Sequence, residues 1–385
     1  MRYTLMIPGP VEIPEKILRA CEGQPVAHYG PEWAKLYIKT ADMVSKILGS
    51  GGKSFLMPGS GSLGLDSAAA TFCRDKRCLV VNNGMFGERI SSIVSKQAEK
   101  VGVLEFPLGK AADPDGILEA LEKGEYDVLF MTHVETSTGV LNPVSEIGRA
   151  VKQTGALFIL DAVSSAAIER LEMDDWGIGV CVTASQKGFE SPAGLGIVTV
   201  SDALLSSLSE SGGRTWYTNL GVWWDFYNKW NDWHPFPVTL PTQTIVGLAK
   251  SLDMIHEEGV QTRQAMYRTV AGKVRSAMRA LGLKPFAPDE ECAHGLTAVS
   301  TDGKIDPSRL VDYLKKFFSI QISGSFGSLK DHVFRVGHMS RPQCEMKNLV
   351  AFVTGVAQFM KEEGVPVSPQ DALAELTQPL IGDGG

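Results

Sequence analysis

The stretch SFLMPGSGSLGLDSAA, Ser54 to Ala69, runs from an apolar segment through a glycine- and serine-rich turn into a small-residue helical pattern. It holds G-x-G-x-x-G at Gly59, Gly61 and Gly64. Strand, glycine turn and helix in that order open a phosphate-binding α/β unit, because the free amides and positive dipole end at a helix N-terminus suit an anion. Gly61 and Ser62 are best placed to donate.

Outward from this unit, β-rich runs alternate with helical patterns as far as about Ser201. After SFLM come CLVVN, VGVLEF, YDVLFMTH, LFILDA, VCVTAS and LGIVTV, separated by stretches such as GERISSIVSKQAEK and VSEIGRAVKQTG. The alternation predicts an α/β fold with a mostly parallel seven-stranded sheet between helices. Ligands of such sheets sit beyond the carboxyl ends of the strands.

A dinucleotide fold places an acid about 20 positions beyond the glycines to bind the ribose hydroxyls. Here the next strand ends in Asn82 and Asn83, so the nucleotide reading lacks its confirming partner. A single phosphate remains, and its owner must be identified by residues elsewhere. LFILDAVSS delivers Asp161 at the end of an apolar strand, and VCVTASQKG delivers Gln186 and Lys187 at the end of another. Alone, an aspartate caps helices and a lysine lies in solvent. Together with a phosphate cradle at one sheet edge they suit pyridoxal phosphate: the lysine amine condenses with the aldehyde, and the carboxylate keeps the pyridine nitrogen protonated.

The 385 residues are 44% hydrophobic and 21% charged, enough for a large core. A net charge of −7 provides no basic surface for nucleic acid. Pro8, Pro10 and Pro14 break the N-terminal apolar run too early for a signal peptide or membrane span, and a cytoplasmic location is expected. The cysteines, among them Cys21, Cys292 and Cys344, are scattered without metal-ligand spacing, which suits a reducing compartment and argues against a metal site.

From Arg214 to Pro241 the chain is rich in tryptophan and too irregular for one helix, which suggests a lid or a subunit contact. A helix is expected from about Thr242 to Glu258, followed by a smaller α+β domain with strands in LTAVST and HVFRVGH. The terminal LIGDGG is expected to fray.

From PGPVEIPEKIL through GSGSLGLDSAA, NNGMFGER, HVETSTGVLNP, LDAVSS and SQKG to VFRVGHM, the chain resembles the class V, fold type I pyridoxal-phosphate aminotransferases, nearest the alanine/serine:glyoxylate aminotransferase family. The resemblance implies a Schiff-base lysine at Lys187, its pyridinium partner at Asp161 and phosphate binders at Gly61, Ser62 and Gln186. It implies a cofactor-stacking ring at Phe86 and a contact from Thr136 to the phenolic oxygen. Thr239 would reach the phosphate of a neighbouring subunit, implying a homodimer with shared active sites. Arg335 would clamp the substrate carboxylate, with Gly9 against the substrate; Tyr29 and His28 stand near a point where many relatives carry an arginine or another residue, and a role in substrate choice is the expectation for them. The division implied is an N-terminal segment 1–20 contacting the active site, a large cofactor domain 21–259 and a small domain 260–385.

The expected reaction moves an amino group from alanine or serine to glyoxylate or pyruvate by a ping-pong cycle. Aminotransferases acting on 2-aminoethylphosphonate or pyridoxamine with pyruvate are alternatives, the former weakened by Gln186 where that group has Asn. A cysteine desulfurase would need a nucleophile such as Cys344 and a histidine before the lysine. A nucleotide-dependent oxidoreductase or a silent scaffold are the readings from other classes.

Overall fold

The computed structural model describes residues 2–208 and 215–377; Arg214 and the terminal LIGDGG lie outside the described residues. Its largest sheet has seven strands: β1 (Lys53–Pro58), β2 (Arg77–Asn82), β3 (Lys100–Glu105), β4 (Val128–Thr132), β5 (Leu157–Asp161), β6 (Val180–Ala184) and β7 (Leu195–Val200). Their order is β1-β7-β6-β5-β4-β2-β3, and β7 alone runs antiparallel to its neighbours. All seven expected strands are present.

Burial explains why these runs read so clearly. Every residue of β4, β6 and β7 is buried, as a strand covered on both faces requires, whereas the edge strand β3 is mixed and its ends are exposed. The helices α1 (Gly61–Phe72) and α2 (Met85–Val94) follow β1 and β2. Asp161 ends β5 in register with Thr132 of β4 and Val182 of β6, so the carboxyl ends of three central strands meet at one edge. The strand order reverses beside them, where β3 lies outside β2 and the chain returns to β4. That is the crevice in which open α/β sheets bind ligands.

The tryptophan-rich segment is more regular than expected. It contains α3 (Leu220–Lys229), whose N-cap Asn219 accepts from the Gly221 amide, and Trp223 on this helix is fully buried. Trp216, Trp230 and Trp233 are exposed. Next come α4 (Thr242–Glu258) and α5 (Val260–Ala280), separated only by Gly259 at φ +83°, a left-handed conformation that glycine adopts without strain.

A second core gathers residues from Val274 onward around a four-stranded antiparallel sheet, in which Val333–Gly337 is a central strand. Met6 belongs to this core, and Thr4–Leu5 pairs in parallel with Ile320–Gln321. The chain start therefore spans both bodies: Met6 accepts from the Gly337 amide, while Val11 donates to the Gln186 carbonyl. Among the described residues no helix is long and apolar enough to cross a membrane.

Candidate active site

At the crevice lies a cavity of about 220 Å³ walled by Ser60, Gly61, Ser62, Phe86, Thr136, Asp161, Gln186 and Lys187, with Arg89 and Ser164 among their neighbours. A groove of about 770 Å³ along Pro31–Ile47 is larger, but its lysines and aspartates are surface groups, such as the Lys39–Asp253 pair, and it carries no buried ionisable side chain.

Asp161 is buried, and one oxygen accepts from the Val163 amide at 2.8 Å. Burial pushes its carboxyl up to about 6; Glu135 pushes the same way, while the Val163 amide, Lys187 and Arg89 oppose. Lys187 stands three residues beyond β6, and burial brings its amine down to about 8, against the attraction of Asp161. Such an amine loses its proton more readily than an exposed lysine. Its Nζ donates to the carbonyl of Pro8. Gly9 lies directly against it: a Cβ there would sit 2.4 Å from Lys187 Cδ and 2.8 Å from Nζ.

The glycine turn serves close packing. A Cβ on Gly61 would lie 2.6 Å from Val163 Cγ2, and one on Gly64 would lie 2.6 Å from Val182 Cγ1. Without side chains there, α1 settles onto the ends of β5 and β6 and aims its N-terminal amides into the cavity. On the opposite wall, the Gln186 Oε1 is buried and has no protein partner, so the amide is free to turn either of its ends toward a ligand.

Phe86 is held by a residue that sequence reading does not single out. Glu135, fully buried, accepts from the amides of Phe86 (3.0 Å) and Gly87 (3.2 Å) with one oxygen, and from the Ser137 amide and hydroxyl with the other. A carboxylate against the first turn of α2 is favoured by the helix dipole, and it fixes the ring's approach. Burial nonetheless raises the Glu135 carboxyl, with those donors opposing. Arg89, one turn along α2, stacks on Phe86 with Cζ 4.7 Å from the ring centre. Thr136 shares a 2.7 Å hydrogen bond with Ser164, two hydroxyls from different strand ends.

Arg335 arrives from the second body. On its strand, Phe334 and Val336 enter the second core, and alternation turns Arg335 to the other face. Its guanidinium is buried and donates to the Gly324 carbonyl (2.9 and 2.8 Å) and the Thr136 carbonyl (3.2 Å). Among the described residues no carboxylate lies within ion-pair distance of it. Burial lowers its ordinary value to about 10. A buried cation bonded only to carbonyls is prepared for an anionic guest.

Four expected site residues do not line this cavity: Gly9 and Arg335 adjoin it through Lys187 and Thr136, whereas Thr239 and Tyr29 lie elsewhere. Thr239 is exposed, and the chain does not bring it to its own site. Tyr29 is 54% exposed and packs on Trp233, while His28 Nδ1 accepts from the Leu240 amide.

Helix amides for a phosphate, a flanking ring, a hydroxyl, a buried carboxylate and a low-pKa lysine fit pyridoxal phosphate, and together with the sheet they define a cofactor-dependent enzyme of the α/β class. Residues 66–334 match the family Aminotransferase class-V, and the chain belongs to that family. It is 30% identical over 365 residues to alanine–glyoxylate aminotransferase 1 of Saccharomyces cerevisiae, covering 90% of this chain and 94% of that one. Among solved structures it is similar to ureidoglycine–glyoxylate aminotransferase from Bacillus subtilis (TM-score 0.91, 25% identity, 97% of each chain). It is likewise similar to pyridoxamine–pyruvate aminotransferase from Mesorhizobium loti (TM-score 0.91, 26% identity, 98% of this chain and 96% of that one). The architecture is fold type I, and the protein is a pyridoxal-phosphate-dependent aminotransferase. The nucleotide-dependent reading of the glycine turn is thereby replaced.

Proposed function

We propose that this enzyme moves an amino group from a small amino acid, alanine or serine, to a small 2-oxo acid, glyoxylate or pyruvate, both substrates using the same cavity in turn. The observation that carries the reading is that Lys187 and Asp161 line one confined space, while Arg335, without a carboxylate partner among the described residues, bonds to the carbonyl of Thr136 on the wall of that space.

When bound, pyridoxal phosphate supplies an electron sink for the pair of electrons left as a bond to the substrate Cα breaks. The chain's own groups do the rest. Gly61, Ser62 and Gln186 would hold the phosphate, Phe86 would pack against the ring and Thr136 would bond its phenolic oxygen. Asp161 would pair with the pyridine nitrogen and keep it protonated. Its burial makes a free carboxylate costly, so a cationic partner is the natural way to keep it charged. Arg335 binds the substrate carboxylate through its planar fork and so orients the Cα hydrogen toward Lys187. Lys187 Nζ, whose desolvated site favours loss of its own proton, takes that proton and returns it to a different atom. Gly9 leaves the room that this movement needs.

The same reading makes the chain one half of a homodimer in the cytoplasm, divided into segment 1–20, large domain 21–259 and small domain 260–385. Exposed Thr239 and the exposed tryptophans support the shared site, and six free cysteines suit the compartment. The pyridoxamine–pyruvate relative supports a second reading, in which the amino donor carries no α-carboxylate.

A screen of amino donors against oxo-acid acceptors separates them. Alanine or serine with glyoxylate is expected to give the highest kcat/KM, with about 10- to 200-fold discrimination among acceptors differing by a methyl or hydroxyl. Turnover restricted to pyridoxamine or a phosphonate donor would overturn the assignment.

A further inference from the structure

Lys187 sits on a turn that is pinned far more firmly than a surface loop. The Glu190 amide donates to the Lys187 carbonyl (2.8 Å), the Ser191 amide to the Ser185 carbonyl (3.0 Å), and the Ser251 hydroxyl to the Phe189 carbonyl. Glu190 itself is 2% exposed and adopts φ +51°, a left-handed conformation uncommon for a side-chain-bearing residue and kept only where the surroundings demand it.

Those surroundings converge on one oxygen. Glu190 Oε1 accepts from Arg263 Nη2 (2.6 Å), the Tyr267 hydroxyl (2.9 Å) and the Arg341 amide (2.6 Å). Arg263 and Tyr267 lie on α5, at the start of the second body, and Arg341 follows the strand that bears Arg335. The same Nη2 donates to the carbonyl of Gly188, the residue after Lys187 (3.0 Å), and the Tyr267 hydroxyl also lies 3.0 Å from the Met339 carbonyl. Gly188 is pressed into place as well, since a Cβ there would meet the Ala166 carbonyl at 2.2 Å. One buried ion pair thus touches the lysine turn on one side and the continuation of the arginine strand on the other.

We propose that Glu190 and Arg263 are positioning residues that fix the span between Lys187 and Arg335, and through it the enzyme's preference for substrates bearing an α-carboxylate. The proposal rests on the reading of Lys187 as the reacting amine and Arg335 as the carboxylate clamp. Removing one partner of a buried ion pair leaves the other charge uncompensated, so a purely structural role predicts lost stability and nothing selective.

The test uses the holoenzyme and two donors, an amino acid and the amine that lacks its carboxylate. In Glu190→Gln, KM for the amino acid should rise and its kcat/KM fall about tenfold, as one weakened charge-assisted contact allows, while kcat/KM for the amine changes less than about threefold. Tyr267→Phe removes a single hydroxyl at constant volume and should shift the same ratio in the same direction by about threefold, which keeps the proposal testable should Glu190→Gln not fold. Equal losses for both donors, or a lower melting temperature with the ratio unchanged, would overturn it. A wild-type enzyme with no preference for the carboxylate-bearing donor would instead overturn the clamp at Arg335, and the two failures are thereby told apart.

Discussion

Asp161 shows at the scale of one residue how function is carried at a cost in stability. Its folded-state value is raised from 3.8 to about 6. A group raised in this way contributes stability below pH 4 and loses it as pH rises through 6, because the folded state binds the proton more tightly than the unfolded chain. Asp161→Asn does not titrate, and the Asn oxygen can keep the 2.8 Å bond from Val163. In the cofactor-free protein, the variant should gain on the wild type between pH 4 and 6, reaching about 3 kcal/mol at pH 7. Turnover should fall sharply. Denaturant unfolding across that range checks the first statement, and equal stability at pH 7 would contradict it. Asp161 and Lys187 were legible as chemistry because Asp161 closes one apolar strand and Lys187 follows another by three residues, which puts both at the sheet edge that carries the glycine turn. Glu135 was not, because only one of its oxygens is held locally, by Ser137, while the amides of Phe86 and Gly87 that give it its role come from a distant segment and leave no local pattern.

At the scale of elements, the glycine turn carries a sharp expectation. The Cβ of Gly61→Ala would lie 2.6 Å from Val163, so α1 must lift or Val163 must move, and either shift takes the helix amides away from the phosphate. Cofactor affinity should fall about tenfold or more by fluorescence titration, with a smaller effect on melting temperature. Unaltered affinity would show that the helix terminus is not the phosphate seat. All seven large-sheet strands were legible, since strands buried on both faces read as unbroken apolar runs. Helix α3 was not, because its aromatic residues are crowded rather than spaced by a turn: Trp223 is buried, and the adjacent Trp224 packs half-buried against the same core while stacking on Tyr227.

The whole molecule joins two bodies around the site, Lys187 from one and Arg335 from the other, with the chain start laid across both. Their meeting could not be read from spacing, because it depends on how the second core seats against the first. The homodimer reading belongs to this scale too. Sedimentation should give twice the 41.6 kDa chain mass, and Thr239→Val should weaken cofactor retention about tenfold without changing that mass. A monomer with full cofactor content would contradict the shared site.

The account turns on Lys187 being the amine that holds pyridoxal phosphate. Borohydride reduction of the holoenzyme followed by peptide mass spectrometry tests this directly. The account predicts one pyridoxyl group per chain, on the peptide containing Lys187. A label on another lysine, or no label on a protein that still transaminates, would contradict it.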